Sequence, residues 1–135
     1  MKTVPTLIIF IALLLVCSPS SGSEEVEDRS SGQGNFLISA KPLAEPVPLY
    51  AGHDWLVTVK TKHGEPVEGA RIVFGARMMM EGIPMGTVPS VEELGEGRYR
   101  VKGVAFLGAG VWTVFLDVHW KDIWDGIRFD VWVES

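Results

Sequence analysis

Cysteine is nearly missing from this chain: of 135 residues only Cys17 carries a thiol. From residue 18 onward there is no disulfide to form and no thiolate to act as nucleophile or soft ligand. Basic residues are also scarce, with 12 Lys+Arg against 17 Asp+Glu and a formal net charge of −5. Setting aside the first 23 residues, which hold Lys2 and no acid, leaves 11 bases against 17 acids and a charge of −6. That balance carries no electrostatic footprint for a phosphate backbone, so nucleic acid is excluded as a partner. It argues against anionic lipid for the same reason. No long hydrophobic run is present either. The longest, Leu7 to Val16, has ten residues, about half of what a membrane-spanning helix needs. A helical hydrophobic period is missing throughout, and so is a G-x-S-x-G nucleophile elbow.

What remains first is an address. Met1-Lys2-Thr3 gives a short positive start, Leu7 to Val16 an apolar run, and Cys17 to Ser23 a small-residue stretch. This order predicts a secretory signal peptide over 1–23 and an extracytoplasmic location, in the periplasm or cell envelope. Cleavage after Gly22 or Ser23 gives a soluble product. An alternative processing places a lipid on Cys17, because Leu14-Leu15-Val16-Cys17 resembles a lipobox, with Val16 where Gly, Ala or Ser is usual. Membrane association then comes only through that anchor. Residues 24–35 read as a flexible Ser/Gly/Glu-rich linker.

From Phe36 the chain alternates apolar and polar residues in short runs separated by turn residues. The expected strands are Phe36 to Lys41, Asp54 to Thr61, Ala70 to Met78, Val88 to Leu94, Arg98 to Lys102, Val111 to Trp120 and Gly126 to Val133. Trp55, Val57 and Val59 share one face, as do Ile72, Phe74 and Ala76, and Trp112, Val114, Leu116 and Val118. About seven strands and no helix predict an all-β, immunoglobulin-like antiparallel sandwich over 36–135.

Several of these pieces, in order, resemble the YtkA-like/FixH-like domains of exported bacterial proteins. They are Gly52-His-Asp-Trp-Leu-Val-Thr-Val, the turn Gly64-Glu-Pro-Val-Glu-Gly-Ala70, the Met-rich stretch Met78 to Met85, Gly97-Arg-Tyr99 and Gly110-Val-Trp112. The resemblance covers roughly Phe36 to Val133. It implies an immunoglobulin-like fold and a role in extracytoplasmic copper handling or oxidase assembly. Such domains often carry a Met just before the G-x-W segment, where this chain has Leu107-Gly108-Ala109.

The candidate site residues follow from chemistry. Met78 and Met80 share a face if the strand continues, and Gly82 and Pro84 could turn Met85 back toward them. Converging thioethers suit Cu(I) or Ag(I) better than harder ions, although methionine also fills irregular core gaps, and Met78 continues the inward phase of Ile72, Phe74 and Ala76. His53 and His63 flank one strand about 30 Å apart if extended, so they cannot chelate one ion together. Either could join the methionines if its loop folded that way. His119 reads as a solvated residue, Glu92-Glu93 as a divergent pair, and Asp122 and Asp125 as members of a polar turn with too few oxygens for a dedicated Ca²⁺ site. Trp112 reads as core. Trp124 and Trp132 fall out of the inward phase and form the candidate contact surface. Two functions are therefore expected of a non-enzymatic protein. One binds a soft metal, copper, or assists a metal-handling membrane partner. The other is a structural or protein-interaction module of the envelope with no metal.

Overall fold

A computed structural model describes residues 26–135; the signal segment, Cys17 and the start of the linker lie outside the described residues. Nine strands form two antiparallel sheets. They are β1 (Val26–Ser30), β2 (Phe36–Pro42), β3 (His53–Thr61), β4 (Arg71–Met78), β5 (Ile83–Pro84), β6 (Ser90–Gly95), β7 (Arg98–Val104), β8 (Gly110–Trp120) and β9 (Ile123–Val133). One sheet runs β1-β2-β3-β7-β6 and the other β5-β4-β8-β9. Without β1 and β5, the order β2-β3-β7-β6 facing β4-β8-β9 is the constant-type immunoglobulin arrangement. The fold is an all-β sandwich.

Alternation makes β2, β3, β4, β7, β8 and β9, because each has one dry face. The patterns of β3, β8 and β9 place Trp55, Val57, Val59, Trp112, Val114, Leu116, Ile127, Phe129 and Val131 inward, all buried. Trp55 stacks obliquely on Phe74 and Phe129 from the other sheet, with ring centroids 5.5 and 6.0 Å apart. Rings of this size dominate a small core, and truncating one to alanine costs about 3–5 kcal/mol.

Three boundaries differ from the sequence reading, each for a local reason. The stretch expected as a flexible linker, 24–35, contains β1 and a tight loop. β1 is exposed apart from Val26, so it carries no alternating signal. It is held by pairing with β2, by a 3.2 Å Asp28–Lys60 ion pair and by an Arg29 hydrogen bond to the Arg128 carbonyl. Polar, charged residues suit such an edge. β5 is a two-residue edge strand ending in Pro84, a position where the missing N–H costs nothing. β9 begins three residues earlier than expected. Trp120 pairs with Ile123 across a two-residue turn whose Lys121 has φ 55°, which places Asp125 inside the strand.

The strand directions gather the connections at two ends. Loops 31–35, 62–70, 96–97 and 121–122 share one end, with Lys62, Glu65, Glu68, Glu96, Lys121 and Asp122 among them. Loops 43–52, 79–82, 85–89 and 105–109 share the other, together with Glu134 after β9; Glu45 and Glu81 are the charged residues of those loops. The sandwich therefore has a polar end and an apolar end.

Candidate functional site

The methionine stretch lies at the apolar end, and the structure separates its members. β4 stops at Met78, which is 5 % exposed and faces the core. Its sulfur sits against Gly108 and its methyl against Gly110, at places where a Cβ would stand 3.2 and 2.9 Å away. The next four residues are a turn closed by the Gly82 N–H on the Met78 carbonyl, 2.8 Å, with Gly82 at φ 68°. Once the strand ends, the two-residue alternation no longer holds. Met80, expected beside Met78, instead projects into solvent at 95 % exposure. Met85 is drawn back as the sequence suggests: its N–H donates to the Ala76 carbonyl at 3.1 Å and its side chain packs against the core. Two of the three candidate sulfurs thus face inward and one faces water. Gly108, in the segment where the resemblance would put a further Met, offers no sulfur beside Met78.

His53 and His63 sit at opposite ends of β3 and of the sandwich. His63 is an exposed turn residue. His53 is buried beside Phe106 and accepts a 2.9 Å hydrogen bond from the Trp55 indole at Nε2, while its Nδ1 has no partner. The Trp55 contact fixes the neutral tautomer with the proton on Nδ1. Burial pushes its pKa below the ordinary 6.5; the Ala51 and Val104 carbonyls and the Asp54 charge offset only part of that. His119 is half-buried, its ring stacked on Trp124 at 4.3 Å with 9° between planes. Among the described residues no three His, Cys, Asp or Glu side chains gather in a way that could hold a metal ion.

The carboxylates hold loops rather than face a ligand. Asp125, expected in a solvated turn, is a buried anchor. It accepts from the Ser31 hydroxyl, the Gln33 and Asn35 backbone N–H groups, the Asn35 amide and the Gly126 N–H. Burial alone would raise its pKa, but these donors outweigh it and hold the carboxyl below the usual 3.8. With its lone pairs committed to N–H and O–H donors, Asp125 cannot coordinate a cation. Nothing local signals this, because the donors in loop 31–35 lie 90 to 94 residues away in sequence. Asp54 is likewise taken up by Arg100 at 2.7 Å and the Gly103 N–H at 3.1 Å. Glu92 and Glu93 diverge: one pairs with Lys102 at 3.2 Å, the other caps the Gly69 N–H at 2.8 Å.

The outward face of β4-β8-β9 differs. Trp124 and Trp132 lie eight residues apart on β9 and are 51 % and 56 % exposed. Trp132 is directly opposite the exposed Val111. Beside Trp132, a 380 Å³ depression is lined by Ala109, Gly110, Val133 and the last two residues. A second, 360 Å³, lies between β1 and β9 with Arg29, Arg128 and Asp117 on its walls. The other tryptophans are structural: Trp112 is fully buried with its indole N–H on the Gly108 carbonyl at 2.8 Å, and Trp120 donates to the Glu68 carbonyl at 2.9 Å.

A protein-family model described as YtkA-like matches residues 42–117, more than half of the chain. No curated protein and no solved structure matches it.

Proposed function

The chain belongs to the YtkA-like family, and from that premise we propose that it is a non-enzymatic, extracytoplasmic module that acts by contact with a partner protein of the cell envelope. The observation that carries the reading is the Trp-bearing outer face of β4-β8-β9. Two half-exposed indoles stand on one strand, with Val111 exposed on the neighbouring β8 and Val73 on β4 beyond it. Tryptophan is the side chain most enriched among residues that dominate protein contacts.

The test is a photo-crosslinking residue placed at Thr113, between the two tryptophans on this face, in the exported chain. One discrete envelope adduct is expected, and Trp132→Ser should abolish it. The same group at Glu92 on the opposite sheet should give none. Equal crosslinking from both sheets, or from neither, sinks the reading.

Copper binding is the second reading, supported by the inward placement of Met78 and Met85 around the β4–β5 hairpin. Competitive Cu(I) titration distinguishes it, run on the chain with Cys17→Ser so that the leader thiol does not compete. A tight single equivalent that disappears in the Met78→Leu/Met80→Leu/Met85→Leu variant would make this protein a soft-metal carrier. No saturable site would leave contact as the function.

A further inference from the structure

The apolar end is a surface apart from the Trp-bearing face. Four separate connections meet there, and each exposes large apolar side chains. Leu43 and Tyr50 come from loop 43–52, Met79 and Met80 from the turn after β4, Val88 from the approach to β6, and Leu107 from loop 105–109. Met80 and Val88 are 95 % and 97 % exposed, and Tyr50 69 %. The loops touch: the Tyr50 N–H bonds the Phe106 carbonyl at 2.9 Å, Gly86 lies against the Leu107 side chain, and the Thr87 hydroxyl bonds the Gly103 carbonyl. The result is one continuous rim. At the opposite end, loops 31–35, 62–70, 96–97 and 121–122 expose no large hydrophobic side chain.

Two features identify what such a rim would meet. First, the loops contain no Lys or Arg, and Glu45 and Glu81 are their only charges. Anionic headgroups are therefore not recognised, and neither is an acidic partner. Neutral apolar residues with a tyrosine among them suit the uncharged interfacial zone of a bilayer. Second, the chain enters the sandwich at this same end. Val26 pairs with Ala40, two residues before β2 finishes at the apolar end. On the processing that places a lipid on Cys17, the anchor precedes Val26 by only eight intervening residues, a reach of at most about 30 Å. An acyl chain seated in a bilayer there holds the rim within touching distance of the same bilayer.

We propose that the apolar end of the sandwich docks on the interfacial zone of a zwitterionic bilayer, with Tyr50, Met80, Val88 and Leu107 entering it. The polar end and the Trp-bearing face then remain in water and free for a protein partner. Docking is weak in isolation, because a few partly inserted side chains must offset the lost freedom of the domain. Tethering supplies the effective concentration that makes it persist.

The experiment uses the chain acylated at Cys17, which leaves no free thiol there, with a single environment-sensitive fluorophore on either Val88→Cys or His63→Cys. Each chain is bound to phosphatidylcholine vesicles. The label at position 88 is expected to shift to the blue and to be quenched from the lipid phase, and the label at position 63 to do neither. Adding Tyr50→Asp and Met80→Asp should cut the docked fraction about tenfold or more. Both side chains are exposed, and aspartate tolerates the φ of 63° at position 50 better than tyrosine, so unfolding temperature should stay unchanged. No shift at 88, or an equal shift at 63, overturns the proposal. So does a shift seen only with envelope membranes that retain their proteins, which would assign the rim to a protein partner.

Discussion

Removing the Asp125 carboxylate tests how the polar end is built. Five donor groups converge on its two oxygens: the Ser31 hydroxyl, the Gln33 N–H at 3.0 Å, the Asn35 N–H at 3.2 Å, the Asn35 amide at 3.1 Å and the Gly126 N–H at 2.9 Å. Through them loop 31–35 is fastened to β9, and with it the junction between β1 and β2. In Asp125→Ala, Ser31 and Asp125 no longer satisfy each other in a buried place, and the backbone donors of the loop face a methyl group. Each orphaned buried donor costs about 1–3 kcal/mol, and water reaching this half-open loop recovers part of that. The net loss should be about 3 kcal/mol. For a domain of this size that lowers the unfolding temperature by roughly 12–20 °C. Asp125→Asn should lose about 2 kcal/mol, because its NH₂ group meets donors where an acceptor is needed. The folded carboxyl titrates below its ordinary 3.8, so its contribution is complete above that pH and disappears as pH falls through the folded pKa. Urea unfolding followed by tryptophan fluorescence measures both effects. The gap between parent and variant should be constant from pH 7 to about 4.5 and narrow below the ordinary aspartate value. A loss under about 1 kcal/mol at pH 7, or a gap unchanged at pH 3, refutes the anchor.

Two further outcomes follow from the same geometry. The folded His53 pKa lies below 6.5, so the unfolded chain takes up a proton first and stability falls as pH drops from 6.5. His53→Gln keeps an acceptor for the Trp55 indole and should flatten the pH dependence between 6.5 and 5, an interval over which one such group is worth at most about 2 kcal/mol; an unaltered slope would mean that His53 is not the group titrating. Gly97 has φ 75°, and a Cβ there would stand 2.5 Å from the Val59 carbonyl, whereas Gly34 at φ 77° has nothing within 4 Å. Gly97→Ala should therefore cost about 3 kcal/mol or more in thermal unfolding against about 1 kcal/mol for Gly34→Ala, and equal losses would show that backbone conformation alone sets the penalty.

Six of the seven strands of the immunoglobulin-like frame were legible because each has one buried face, which writes an alternating pattern into the residues; β6 is exposed along its length and is marked instead by the turn Gly95-Glu-Gly97 that follows it. The two that were not legible, β1 and β5, have no buried face to write it: one is a charged edge and the other is two residues long. The methionine reading failed at one point for a related reason. Alternation predicts a shared face for Met78 and Met80 only while the strand lasts, and Gly82 ends it by turning the chain back on the Met78 carbonyl. Asp125 was out of reach altogether. Its role depends on donors more than 89 residues away, and the local sequence offers only a tryptophan-flanked aspartate that suits any polar turn. The apolar end was half legible. The scarcity of charge in 43–52 and 79–89 is plain in the sequence, but only strand directions show that these segments meet.

The residues that carry the family likeness are accounted for by closure of the sandwich. The Tyr99 hydroxyl donates to the Val67 carbonyl at 2.8 Å and accepts from the Ala70 N–H at 3.1 Å, clamping the Gly64–Ala70 turn to β7. That turn is also tied to β3 through the Val67 N–H on the Val59 carbonyl at 3.0 Å, and Gly97 is a glycine because Val59 leaves no room for a side chain. Gly110 makes space for the Met78 methyl, and Trp112 donates its indole N–H to the Gly108 carbonyl. Each of these groups spends its hydrogen bonds or contact area inside the domain. Other side chains are released from that duty. Those are Trp124 and Trp132 on the outer sheet and the rim from Tyr50 to Leu107 at the apolar end. Family members that share the closing residues can differ in what they bind by changing those surfaces alone, at little cost in stability, because exposed positions tolerate substitution within about 0.5 kcal/mol.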